Sequence, residues 1–253
     1  MDEDLRVSLW NALSLHYWKR DFWNCDNEFL ISLWMNLFKE AIDDLGEYSE
    51  ENIDIVRERF SEIPWNKVYD ILEFMVQNFK DEPTNQRFIR TCNAIFEREA
   101  SAYRFIGKQI GRIISKAEIS EVEEAMTTPL DVVNAHIEHA LELLSDRTSP
   151  DYRNSIKESI SAVEAICRLI VNDKNATLGQ ALGVIGKHIE IHGALKKSFE
   201  NLYGYTSSAE GIRHSLLERN ITLRFEDAKF MLVSCSAFVN YLVSKAANAN
   251  LKI

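Results

Sequence analysis

The chain has 253 residues, 46 % of them hydrophobic, with 13 Phe, 5 Trp and 8 Tyr against 4 Pro and 9 Gly, and a formal net charge of −10. Such a chain is globular and can bury a proper core, and so few turn-formers argue against many short strands, so an all-α fold is expected. The negative total repels nucleic acid and anionic membrane, which leaves a local basic patch as the only way to meet a polyanion.

Leu5, Leu9, Leu13 and Tyr17 recur at helical spacing and predict a first helix. In FLISLWMNLFKEAIDDLG the apolar doublets repeat every four residues from Phe29 to Leu45, predicting one helix capped by Asp26 or Asn27 and ended by Gly46. Ser49 precedes a helix with Ile53, Val56 and Phe60, and Pro64 opens the next, with Trp65, Val68, Tyr69, Leu72, Val76 and Phe79 inward. Thr84 starts a helix carrying Phe88, Cys92, Ile95 and Phe96.

The run YRFIGKQIGRIIS breaks the period: two β-rich pieces around a glycine read as a small hairpin near 103–115. Ser115 with Glu118 is a capping-box pair for a short acidic helix ending near Met126. Thr128-Pro129 and Ser149-Pro150 open two further helices, the second long, with Tyr152, Ile156, Ile160, Val163, Cys167 and Ile170 inward. Thr177 caps a helix through Ile189, another stops at Gly204, and a last one runs from about Phe225 to Ala246. The expected organisation is an N-terminal helical domain, 1–115, ending in the hairpin, packed on a helical bundle, 116–253.

Cys25, Cys92, Cys167 and Cys235 lie far apart among helical apolar positions, which suits buried free thiols in a reducing compartment. MDEDLR is not signal-like, and the longest uncharged segment, Phe230 to Ser244, is too short and too polar to span a bilayer, so a cytoplasmic protein without membrane association is expected.

One stretch, YGYTSSAEGIRHSLLERN, abandons the helical pattern and leaves Arg213 beside His214. An imidazole exchanges a proton near neutral pH and a guanidinium grips a phosphate, a pair suited to RNA cleavage by its own 2′-hydroxyl without a metal. The plainer reading is a loop arginine and a helix-capping histidine. From Lys187 to Arg224 six basic residues face four acidic ones, with His188 and His192 alongside, and Lys196, Lys197 and Tyr205 are the candidate substrate contacts. Glu164 borders the buried stripe of its helix, where a carboxylate wants a cationic partner, and Arg213 is one candidate. His136 and His139 share a face with Glu142, yet an exposed surface pair is the better reading and no metal or cofactor is expected. Trp10, Trp18, Trp23, Trp34 and Trp65 read as core.

DYRNSIKESISAVEAICRLI, ATLGQALGVIG, ALKKSFENLYGYTSSAEGIRHS and EDAKFMLVSCSAFVNYL, in that order, resemble a HEPN domain of bacterial abortive-infection proteins. WNALSLHYW, PWNKVYDILEF and RFIRTCNAIFEREASAYRFI resemble the small helical domain preceding it in AbiJ-like phage-resistance proteins. The resemblance implies a helical bundle paired as a homodimer and an RNA substrate cut at the shared interface; a protein encoded nearby is a further candidate partner. Its signature is an arginine followed after four to six residues by a histidine. His214 matches that histidine, but Ser207, Ser208 and Ala209 stand where the arginine belongs, leaving Arg213 at a different spacing. Two functions follow: an endoribonuclease with His214, Arg213 and Glu164 as its catalytic group, or a non-catalytic HEPN-like module that binds RNA, a nucleotide or a protein as sensor or antitoxin. A helical adaptor is the third reading.

Overall fold

The computed structural model describes residues 1–18, 27–207 and 223–251. Among them the protein is all-α apart from one two-stranded hairpin, and it divides into two compact units, Met1–Arg112 and Ile113–Ile253.

In the first unit α1 (Glu3–Leu13) starts at Asp2, whose side chain accepts from Leu5 N, and runs into a π-helical turn, Ser14–Trp18. Leu5, Leu9, Leu13 and Tyr17 are buried as their spacing requires. They join a core with Phe88, Cys92 and Phe96 of α5 (Glu82–Arg98), Val56 and Phe60 of α3 (Ser49–Glu62), and Val68, Leu72, Met75 and Val76 of α4 (Trp65–Asn78).

The single helix expected from Phe29 to Leu45 is instead three pieces: α2 (Asn27–Leu33), a π turn (Trp34–Phe38) and a 3₁₀ turn (Ile42–Asp44). Lys39 adopts the left-handed conformation at φ 57° and ends the helical run, while the Trp34 indole donates to Ala41 O at 2.8 Å. Trp34 is buried, but Trp65, expected inward, is 38 % exposed, because it opens α4 at the edge of the unit's core. Trp23 and Cys25 lie outside the described residues.

The hairpin pairs β1 (Arg104–Ile106) with β2 (Gln109–Gly111), Phe105 opposite Ile110, around Gly107 at φ 55°. Asn93 of α5 holds it from both sides, accepting from Phe105 N at 2.7 Å and donating to Phe105 O at 3.2 Å.

The second unit is built from α6 (Lys116–Ala125), α7 (Asp131–Ser145), α8 (Tyr152–Val171), α9 (Leu178–His188), α10 (Gly193–Ser207) and α11 (Phe225–Asn248). α8 is its centre and packs on α7, α9, α10 and α11. Buried Ser155 and Ser159 let helices approach closely and return their hydroxyls to backbone, to Ala140 O and Ser155 O, both at 2.8 Å. α6 is tied to α11 by Lys229 Nζ to Glu118 at 2.8 Å and by Asn240 Nδ2 to Glu121 O at 2.9 Å.

α10 passes through Gly204, expected to stop it, and continues to Ser207: a glycine weakens a helix but ends it only when it turns left-handed. α11 is long and apolar enough to cross a membrane by length and composition, beyond what the uncharged run within it indicated, and half of its most apolar window is buried inside the unit.

Candidate functional site

Glu164 faces the side of α8 next to its buried stripe and is 18 % exposed. Its Oε2 lies 3.2 Å from Nη2 of Arg168, one turn along the same helix. A glutamate preceding an arginine by four residues is the favourable order for such a pair. Arg168 is held a second time, its Nε donating to Ala176 O at 3.0 Å, so the guanidinium links α8 to the α8–α9 connection. Beneath the pair sits Cys167, fully buried, whose thiol is pushed up to about 12, first by desolvation and then by the Glu164 charge. It stays protonated and unreactive at neutral pH. Burial likewise holds the Cys235 thiol up at about 12.

Lys196 and Lys197 stand on α10, which packs on both α8 and α9. Each ammonium lies 3.9 Å from the carboxylate of Glu200, and Lys197 is 70 % exposed. Tyr205 belongs to the last turn of the same helix. The elements carrying Glu164, Lys196, Lys197 and Tyr205 are therefore neighbours in one bundle. Arg213 and His214 lie outside the described residues.

His136 Nδ1 is 2.7 Å from Oε2 of Glu158 on α8, and His139 Nδ1 is 4.0 Å from the same oxygen. Glu158, not Glu142, is the acidic neighbour of this pair. Glu138 on the same helix has its carboxyl raised above the usual range, mostly by desolvation and then by the Glu142 charge. Among the described residues no three His, Cys, Asp or Glu side chains are placed to hold a metal ion.

Sequence reasoning missed the two partners that organise these groups. Arg168 carries a readable signal, the four-residue spacing from Glu164. Glu158 carries none, because its pairing with His136 spans two helices whose register only the packed structure fixes.

Residues 1–128 match the family model AbiJ N-terminal domain 4. No curated protein and no solved structure matches the chain.

Proposed function

Because the chain belongs to the AbiJ N-terminal domain 4 family, a membership that points to abortive-infection phage defence, we propose that its second unit is a HEPN-like module that cleaves RNA without a metal. The observation that carries this reading is the half-buried carboxylate of Glu164, paired with a guanidinium on α8, the central helix of the second unit's bundle, which lies beyond the matched region. A carboxylate kept that close to a core needs a cationic partner, and Arg168 supplies it.

In this reading His214 takes the proton of a ribose 2′-hydroxyl and the 2′-oxygen attacks the adjacent phosphorus. The P–O5′ bond breaks, a cyclic phosphate forms, and the imidazolium returns the proton to the departing 5′-oxygen. Arg213 holds the non-bridging oxygens, Glu164 positions a guanidinium, and Lys196, Lys197 and Tyr205 contact the RNA. The working form is a cytoplasmic homodimer, in which Arg213 of one chain reaches the pocket of His214 of the other and a partner protein restrains the activity. Purified protein in EDTA is expected to cut RNA, and His214→Ala to lose that cleavage by about 100-fold or more while folding normally. Unchanged cleavage by the variant removes the assignment.

A second reading is favoured by the spacing of the motif. Ser207, Ser208 and Ala209 occupy the arginine positions, and neighbouring residues such as Arg213 and His214 usually point apart. A module that binds RNA, a nucleotide or a protein without cutting it accounts for both. Undetectable cleavage together with stable co-purification of a partner selects this reading.

A further inference from the structure

The first unit carries a cavity of about 310 Å³ that the RNA-cleaving reading does not use. One wall is aromatic: Trp65, Tyr69 and Tyr103 form a closed triangle, with ring centroids 5.7, 5.6 and 5.1 Å apart and no two rings parallel. Trp65 leaves 38 % of its surface exposed, an unusual position for the largest apolar side chain in a unit that buries Trp10, Trp18 and Trp34. The lining also holds acidic and polar residues, Asp2, Glu99 and Ser101. Among the described residues no lysine, arginine or histidine side chain lines the cavity.

The backbone that presents Glu99 and Ser101 is strained. Ala100 sits at φ 50°, left-handed and without the glycine usual there, while Ala100 N and Ser101 N close the end of α5 on Glu97 O and Phe96 O at 3.2 and 2.9 Å. That turn sets Glu99 and Ser101 at the cavity. One oxygen of Asp2 caps α1 at Leu5 N, and one oxygen of Glu99 accepts from Arg98 Nε at 2.6 Å. Arg98 is 61 % exposed, and an ion pair that open to water is weak enough to be shared with an incoming cation.

We infer that this cavity receives the guanidinium of an arginine presented by a protein partner. An aromatic face and two carboxylates, of which only Glu99 has a basic neighbour, the exposed Arg98, are complementary to a cation, and a planar guanidinium both stacks on a ring and forks onto a carboxylate. The volume lies at the low end for ligand pockets and suits one side chain better than a nucleotide or cofactor. The surrounding charge acts the same way: residues 1–112 hold 21 acidic and 14 basic side chains, a balance of −7, against 18 and 15 for residues 113–253. A basic partner is therefore steered to the first unit before it docks.

The test is a titration of the full chain with a blocked Gly-Arg-Gly peptide, followed through the indole N–H resonance of Trp65, identified with Trp65→Phe. The peptide should shift that resonance saturably, and its citrulline counterpart, neutral and nearly isosteric, should bind at least about tenfold more weakly. Glu99→Gln should weaken the arginine peptide, and His214→Ala should leave it unchanged, which separates this site from the cleavage reading. No saturable shift, or equal shifts from the two peptides, overturns the inference. So does a stronger response to adenosine monophosphate, which would make the aromatic wall a platform for a base.

Discussion

Asn85 shows how one polar residue organises the first unit's core. It is fully buried, donates to Val76 O at 3.1 Å and Phe79 O at 2.9 Å, and accepts the Tyr17 hydroxyl at 2.9 Å. Burial raises the Tyr17 hydroxyl far above its ordinary value, so it serves as a permanent donor. Asn85→Leu orphans three buried groups at once and should cost about 2–4 kcal/mol in urea unfolding, whereas Tyr17→Phe should cost about 1 kcal/mol. Nothing in the sequence marked Asn85, because helical spacing identifies apolar stripes and is silent about a single amide within them. Ala100 was equally hidden, since left-handed backbone is usually signalled by glycine or asparagine. Ala100→Gly should raise stability by about 1 kcal/mol, read as a higher melting temperature.

Elements were more legible than residues. The stripes lie where their spacing put them, and Thr177 with Gln180 forms the reciprocal capping box of α9, but α8 opens at Tyr152 under an Asp151 cap, two residues beyond the Ser149-Pro150 start that was expected. The exception, Phe29 to Leu45, has a physical cause, for doublets every four residues describe one face without specifying whether the turn beneath is α or π. α9 also carries a cost that spacing does not reveal. Gly179 and Gly186 have open space where a β-carbon would stand, and at Gly183 the nearest atom is Lys196 Nζ, 3.7 Å away. Gly179→Ala with Gly186→Ala should therefore raise stability, by about 1–2 kcal/mol in denaturant melts, through helix propensity alone. Between α7 and α8 the carboxyl of Asp146 is held below its usual value, first by Ser149 N–H and then by the Thr148 N–H and hydroxyl. A depressed carboxyl contributes its full stability above its unfolded value near 3.8 and loses it as the pH falls through the lower folded value. The stability gap between wild type and Asp146→Ala should be present at neutral pH and close in acid below that window.

At the scale of the whole molecule, charge and family are both unevenly distributed. The first unit holds most of the net negative charge, and the family match extends past it to residue 128, taking in α6, whose Val122 and Ala125 are buried in the second unit. The candidate site was legible in part. Glu164 is legible from its place beside the buried stripe, and Arg168 is paired with it, while the other candidate partner, Arg213, lies outside the described residues. Lys196 and Lys197 share Glu200, each at 3.9 Å, whereas Arg168 is held more closely, by Glu164 and by Ala176 O. The most direct measurement is cleavage of RNA by the purified chain in EDTA, with wild type and His214→Ala side by side. The account predicts metal-free cutting by the wild type, cyclic phosphate ends, and loss of both in the folded variant; equal cutting by the two proteins, or dependence on added metal, contradicts it.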